Sequence, residues 1–126
     1  MSINILIVDD SAIMRSMIKK TIYRSNVEVG EIYEAGNGRE GLEMLEKSKP
    51  DLLFIDVNMP VMDGMEMLEI IRNKPETSDL PVLIVSTESN KQRISRINEH
   101  NAGFVHKPFT PEKLREKILS VLGVLD

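Results

Sequence analysis

The chain has 126 residues, of which 41% are hydrophobic and 29% charged, a balance that excludes a disordered or membrane-embedded protein and suits one domain over residues 1–126. It contains no cysteine, which excludes disulfide bonds, thiolate catalysis and cysteine-ligated metals. The formal net charge of −4 argues against general nucleic-acid binding, because phosphate backbones are bound by clustered Lys and Arg.

The N-terminal segment carries neither a targeting signal nor a membrane signal. MSINILIVDD lacks a basic stretch followed by a long apolar one. Nowhere does an apolar run approach the roughly 20 residues that a helix needs to cross a bilayer. We therefore expect a cytoplasmic protein that does not contact membranes.

Segments rich in Ile, Val and Leu alternate with segments whose apolar residues recur at helical spacing. The expected strands, in chain order, are residues 3–8, 31–34, 52–55, 82–85 and 104–106. A helical pattern follows each strand, carried by Ile13, Met17, Ile18 and Ile22; by Leu42 and Leu45; by Met67, Leu68 and Ile71; by Ile94 and Ile97; and by Leu114, Ile118 and Leu122. Because Pro75 disfavours helical continuation, the third helix should end near Asn73. Strands this apolar are buried on both faces, which predicts a doubly wound α/β fold with a parallel sheet between helices.

Polar residues follow the ends of four expected strands. Asp9 and Asp10 follow the first strand, and Asp56 follows the third. Ser86 follows the fourth strand and Lys107 the fifth. Ligands of such folds gather at the carboxyl ends of the strands, where the strand order reverses. We therefore expect these side chains to share one crevice.

Carboxylates gathered in one crevice predict a metal and a phosphoryl-transfer site. Charges about 4 Å apart repel by about 4 kcal/mol per pair at an effective dielectric constant near 20. A hard divalent cation such as Mg²⁺ neutralises them. Asp56 is then a candidate nucleophile toward phosphorus, with Lys107 and the Ser86 hydroxyl available to the phosphoryl oxygens.

Four motifs, in this order and spacing, resemble bacterial response-regulator receiver domains, especially the stand-alone chemotaxis type. They are IVDDS at residues 7–11, DVNMP at 56–60 followed by Asp63-Gly64, LPV at 80–82 leading to Ser86, and KPF at 107–109. The resemblance covers the whole chain. It implies a flavodoxin-like (βα)5 fold with strand order 2-1-3-4-5 and helices on both faces.

The resemblance also implies a role for each acidic residue. Asp56 corresponds to the phosphoacceptor, which is also a metal ligand. Asp10 corresponds to a direct Mg²⁺ ligand, and Asp9 to a carboxylate that reaches the ion through water. The backbone carbonyl of Asn58 completes the implied ligand set.

Further roles follow from the same resemblance. Ser86 stands at the switch hydroxyl, Lys107 at the invariant lysine, and Phe104 at the aromatic switch, where it lacks the hydroxyl of a tyrosine. The family's cis bond suggests a cis Lys107-Pro108 peptide. Asn58 and Glu88 match a pair that tunes dephosphorylation in fast-resetting chemotaxis regulators, so we expect a short-lived acyl phosphate. Residues 88–104 are about one residue shorter than in the best-known such regulator, which implies either a shortened fourth helix or a tightened entry to the fifth strand.

The expected function is a phosphorylation-activated switch of a two-component system rather than an enzyme acting on a separate substrate. A sensor histidine kinase or a small phosphodonor supplies the phosphoryl group. The surface of the fourth helix, fifth strand and fifth helix then changes to bind a partner. Because no effector domain follows residue 126, we expect protein binding by a monomer, with a flagellar motor switch protein as target and a phosphatase as a further partner. The alternative within the family is a phosphorelay shuttle that passes the group to a histidine phosphotransfer protein.

Plainer readings and other protein classes remain alternatives at this point. Asp9-Asp10-Ser11 is also a good helix cap, and residues 56–60 are also a good turn. An aspartyl-phosphate hydrolase of the haloacid dehalogenase type would need a second Asp at the position that Asn58 occupies. A flavodoxin-like FMN carrier would meet repulsion between its phosphate and the two acids after the first strand.

Overall fold

The computed structural model describes residues 2–56, 62–86 and 91–123, with Arg93 described through its backbone alone. Across these residues, strands and helices alternate from one end of the chain to the other. The strands are β1 (Ile3–Val8), β2 (Val29–Ala35), β3 (Leu52–Asp56), β4 (Val82–Ser86) and β5 (Gly103–His106). The helices are α1 (Ala12–Arg24), α2 (Gly38–Ser48), α3 (Gly64–Arg72), α4 (Lys91–Glu99) and α5 (Pro111–Val121).

The strands form one parallel sheet in the order β2-β1-β3-β4-β5. This confirms the predicted doubly wound α/β class and its strand order. The order reverses at β1, which lies between β2 and β3. Val8, the last residue of β1, is in register with Ile55 of β3. The residues that follow these two positions, Asp9 and Asp56, therefore lie side by side at the carboxyl edge.

Both faces of the sheet are covered by apolar side chains, which explains the nearly continuous apolar strands. Successive residues of a strand point to opposite faces. Within the described ranges, Leu6 and Val8 join a cluster that includes residues of α2, α3 and α4. Ile5 and Ile7 join a second cluster with residues of α1 and α5. The sheet is thus packed between two helical layers.

Capping side chains fix where most of the helices begin. The side chains that accept a hydrogen bond from a backbone N–H of the first turn are those of Ser11, Asn37, Asp63 and Thr110. Such caps satisfy amide groups that the helix itself leaves unpaired. Helix α3 ends at Arg72 with Asn73 as its C-cap, as predicted.

The sequence pattern predicted α1 but misjudged the face that it buries. Ile18 and Ile22 are fully buried, whereas Ile13 is 76% exposed and Met17 is 55% exposed. Strand β2 also begins at Val29, two residues earlier than expected. As an edge strand with exposed residues near its start, it lacks the apolar run that marks a buried strand. None of the helices described is both long and apolar enough to cross a bilayer.

Candidate functional site

The predicted acidic residues meet at the carboxyl edge of the sheet. Asp9 and Asp10 follow β1, and Asp56 is the last residue of β3. Their carboxylates each offer an oxygen atom, and these atoms all lie within 4.8 Å of one another. Asp9 is buried, Asp56 is partly buried and Asp10 is exposed. The site is therefore closed at the sheet and open toward solvent at Asp10.

Lys107 lies against two of these carboxylates. Its Nζ is 4.0 Å from Asp9 Oδ2 and 3.9 Å from Asp56 Oδ1, and its side chain is 17% exposed. The Lys107 backbone N–H donates to the Ser86 carbonyl at 2.9 Å, which extends the β4–β5 pairing beyond β5. The Lys107-Pro108 peptide bond is cis, as the resemblance implied.

Asp9 has the most constrained carboxylate of the group. It is 1% exposed. Its Oδ1 accepts the Ser11 backbone N–H at 2.9 Å, whereas its buried Oδ2 has no hydrogen-bond partner among the described residues. Burial raises the pKa of Asp9, and the charges of Asp56 and Asp10 raise it further, while the Ser11 hydrogen bond and Lys107 lower it. Asp9 Oδ2 is thus buried, lies near other negative charges and can accept a contact from a cation.

The side chains present fit a hard divalent cation. Three carboxylates and the Lys107 ammonium leave two negative charges when all are ionised, which one divalent cation neutralises. Carboxylate oxygens and water are the ligands that Mg²⁺ prefers. Asp9 Oδ2, which has no hydrogen-bond partner among the described residues, is a buried polar atom that is costly unless something binds it. The cluster is therefore typical of a Mg²⁺ site.

The turn that carries Asp9 and Asp10 also caps α1. The Ser11 hydroxyl accepts the Met14 backbone N–H at 3.1 Å. The plainer reading of this segment is therefore confirmed as well. Capping uses the serine side chain, so it leaves the two carboxylates available to the site.

Ser86 and Phe104 lie on neighbouring strands. Ser86 is the last residue of β4, is fully buried and is in register with His106 of β5. Phe104 is partly buried against the cluster that includes Ile97 of α4. Its ring meets that of His106 edge-on, with centroids 6.1 Å apart and an interplanar angle of 64°. The switching roles expected of Ser86 and Phe104 stay predictions.

Two predicted residues lie outside the described part of the chain. These are Asn58, expected to offer a backbone carbonyl to the metal, and Glu88, expected to tune dephosphorylation. Their roles also stay predictions.

Sequence reasoning missed Arg15. Its guanidinium donates from Nη1 to the main-chain oxygen of Asp9 and from Nε to Glu34. Helical side chains point back toward the helix N-terminus, so a long side chain in the first turns of α1 can reach the end of β1. The position of Arg15 in the first turns of α1 was the available signal, but it does not specify which acceptor the side chain reaches.

Comparison with known proteins agrees with this fold. Residues 5–119 match the family model for the response regulator receiver domain. A chemotaxis protein CheY homolog of Campylobacter jejuni is 37% identical over 123 residues, covering 94% of this chain and 92% of that protein. Chemotaxis protein CheY1 of Helicobacter pylori is 36% identical over 126 residues, covering 97% and 98%.

A solved structure gives the same result. The chemotaxis protein CheY4 of Vibrio cholerae superposes with a TM-score of 0.84 at 32% identity, covering 96% of this chain and 99% of that one. Its similarity extends over nearly the whole chain, as does that of the two relatives in sequence. This chain therefore belongs to the response regulator receiver domain family, and is a signalling protein, a phosphorylation switch of the CheY-like kind.

Proposed function

We propose that Asp56 accepts a phosphoryl group from a phosphohistidine of a sensor histidine kinase, or from a small phosphodonor. The observation that carries this proposal is the convergence of Asp56 with two further carboxylates and with Lys107, whose Nζ is 3.9 Å from Asp56 Oδ1. The Asp56 side chain is 11% exposed, so its outer edge is open to a donor. A carboxylate beside a cation and a metal site is suited to attack on phosphorus.

Asp10 and Asp56 would hold a Mg²⁺ ion directly and Asp9 would hold it through water, with the Asn58 carbonyl as a further ligand. The bound ion would supply positive charge next to the phosphoryl oxygens. Support for this assignment comes from Asp9 Oδ2, which lacks a hydrogen-bond partner in the described part of the chain, and from the two negative charges that Lys107 leaves uncompensated. The protein's own residues perform the remaining tasks.

Asp56 attacks phosphorus in line with the bond to the donor. The new P–O bond to the carboxylate forms as the P–N bond to the donor imidazole breaks, and the leaving nitrogen takes up a proton. Lys107 neutralises charge on the phosphoryl oxygens, because its ammonium already lies beside the acceptor carboxylate. The Ser86 hydroxyl donates a hydrogen bond to the product.

Phosphorylation adds about −1.5 to −2 charges at Asp56, as for other protein phosphates. Ser86 is in register with His106, and Phe104 lies two residues before His106, so all three side chains face the same side of the sheet. Ile97 of α4 packs on that side too. Movement of Ser86 toward the new anion therefore has a route through Phe104 to the surface of α4, β5 and α5. Shifting such an equilibrium from 1:99 to 99:1 takes about 5.5 kcal/mol.

The output we propose is binding of the phosphorylated form to a flagellar motor switch protein in chemotaxis. The relatives that support it are named chemotaxis proteins and are 36–37% identical to this chain. A phosphorelay shuttle is the second candidate. Binding of the phosphorylated protein to a motor-switch peptide, measured against binding to a histidine phosphotransfer protein, separates the two.

Labelling with phosphoramidate tests the phosphoacceptor directly. The parent protein should be labelled in Mg²⁺, and both EDTA and Asp56→Asn should abolish the label. Asp79→Asn is the matched control, since Asp79 is an exposed carboxylate just before β4, at the opposite edge of the sheet, and it should be labelled like the parent. Equal labelling of parent and Asp56→Asn would refute the assignment.

A further inference from the structure

Arg15 links α1, the edge strand β2 and the turn that carries the acidic pair. Its side chain is 18% exposed. Nη1 donates to the Asp9 carbonyl, and Nε donates to Glu34 Oε1 at 3.0 Å. The other Glu34 oxygen accepts from Lys19 Nζ at 2.9 Å. A continuous set of charged hydrogen bonds thus runs from β2 to the backbone of the site.

The Asp9 carbonyl is well placed to orient Asp10. A peptide unit is planar, so the Asp9 C=O and the Asp10 N–H lie in one plane with both flanking Cα atoms. A donor that fixes the carbonyl fixes that plane and the position of the Asp10 Cα, and so restricts the directions that the Asp10 side chain can take. We propose that Arg15 is a positioning residue that holds this peptide so that the Asp10 carboxylate faces Asp56. This inference rests on the proposed metal site.

The two acidic side chains of the turn are held in different ways. Asp9 is oriented by its own hydrogen bond from the Ser11 amide. The Asp10 side chain is exposed, and with the described part of the chain it makes no hydrogen bond. Its direction therefore depends on the backbone, which is where Arg15 acts. Groups that hydrogen-bond behind a metal ligand typically change metal affinity by about 10- to 100-fold when removed.

Glu34 keeps the Arg15 cation in the orienting position. Without an anion behind it, a guanidinium beside a cluster of carboxylates is drawn toward them and competes with a metal ion. The hydrogen bond from Lys19 lowers the pKa of Glu34, and the hydrogen bond from Arg15 adds to that effect. Glu34 therefore stays ionised at neutral pH and holds Arg15 by its Nε, leaving Nη1 for the Asp9 carbonyl.

The sign of the effect separates positioning from simple charge. If Arg15 acted only as a positive charge near the site, then Arg15→Met would tighten Mg²⁺ binding, because a like charge has been removed. Positioning predicts the opposite: Arg15→Met should weaken Mg²⁺ binding by about 10-fold. Lys19→Met is the matched control, since it removes one positive charge from the same helix and the same carboxylate without touching the Asp9 carbonyl, and it should leave affinity nearly unchanged.

Mg²⁺ titration followed by the backbone amide signals of residues 10 and 11 gives the affinity without any phosphoryl transfer. Glu34→Ala should weaken binding in the same direction as Arg15→Met, and the double variant should lose little more, because the two residues act as one unit. Arg15→Lys keeps the positive charge but lacks the guanidinium fork that donates to both the Asp9 carbonyl and Glu34. It carries the test if Arg15→Met unfolds: positioning predicts weaker Mg²⁺ binding, whereas simple charge predicts unchanged binding.

The outcomes discriminate between the two proposals. If the parent binds Mg²⁺ and Arg15→Met or Glu34→Ala binds it equally or more tightly, the positioning role is overturned and the proposed function stands. The same holds if Lys19→Met weakens binding as much as Arg15→Met does. If the parent itself fails to bind Mg²⁺, the metal site of the proposed function is overturned.

Discussion

Replacing Asp9 with asparagine should make the metal-free protein more stable at neutral pH. Most substitutions of a buried, hydrogen-bonded residue destabilise a protein. Asp9 is different, because its charge is buried next to two like charges and its Oδ2 has no hydrogen-bond partner among the described residues. Asparagine keeps an acceptor for the Ser11 amide and removes the charge.

The magnitude follows from the distances. Two like unit charges 4.8 Å apart, the limit within which the acidic oxygens lie, repel by about 3.5 kcal/mol at an effective dielectric constant near 20. The Asp9–Lys107 pair at 4.0 Å offsets about 4 kcal/mol on the same scale. Two repulsions exceed this attraction by about 3 kcal/mol, and solvent at the exposed Asp10 screens part of that. We expect a gain of about 2 kcal/mol in the free energy of unfolding, or about 8 °C in Tm.

The gain should depend on pH with a definite sign. Burial raises the pKa of Asp9 above its ordinary value of 3.8, so the folded protein holds this proton more tightly than the unfolded chain does. Ionisation of Asp9 therefore opposes folding. This unfavourable contribution to folding is present in full at pH values above the pKa of Asp9 in the folded protein, and it disappears as the pH falls to 3.8. The advantage of Asp9→Asn should shrink on acidification for this reason.

Mg²⁺ should reverse the order of stability. A ligand at 100 times its Kd stabilises the folded state by about 2.7 kcal/mol, and the parent should gain this while Asp9→Asn gains less. Urea unfolding followed by circular dichroism, in EDTA and in Mg²⁺, measures both effects, with Glu43→Gln as a control for the loss of an exposed carboxylate elsewhere. A less stable Asp9→Asn protein in EDTA, or equal stabilisation of both proteins by Mg²⁺, would refute the electrostatic reasoning.

Three further predictions concern the fold and the phosphorylated state. Arg72→Met should lower the free energy of unfolding by about 2–4 kcal/mol, because the guanidinium donates to three backbone carbonyls; Arg96→Met, which breaks an exposed ion pair, should cost less than about 1 kcal/mol in the same denaturation assay. Lys49→Gly should raise Tm slightly, since Lys49 has φ 45° at the C-cap of α2 and a side chain there costs about 1 kcal/mol; an unchanged or lower Tm contradicts this. The acyl phosphate should be short-lived because of Asn58 and Glu88, and persistence for hours at neutral pH with Mg²⁺ would show otherwise.

The order of strands and helices could be predicted because buried segments are visible in the sequence as apolar runs. Strand β1 has the predicted bounds, since a strand covered on both faces is apolar at nearly every position, here at all but Asn4. Strand β2 lies at the edge of the sheet, so residues near its start are exposed and the segment lacks the continuous apolar run of a buried strand. Helical spacing predicted α1, but not that Ile13 and Met17 remain exposed, because periodicity does not specify which neighbours a helix meets.

The site could be predicted in outline because parallel strands end at one edge. Asp9, Asp56 and Lys107 each stand at or just after a strand end, so the topology alone brings them together. The missing hydrogen bond at Asp9 Oδ2, within the described residues, and the contact from Arg15 could not be predicted in the same way. Both depend on side-chain directions that are set by packing, for which strand ends and spacing carry no information.

The charges that we expect to lower the stability of the metal-free protein also make the proposed switch conditional. A phosphoryl group on Asp56 would bring further negative charge to a cluster whose carboxylates already exceed its one ammonium group, Lys107. On the proposed function, the phosphorylated state is therefore favourable only when a divalent cation is also present. A more stable acidic site, such as that of Asp9→Asn, would lose this dependence together with part of its affinity for the cation. The cost in stability and the control by phosphorylation thus come from the same carboxylates.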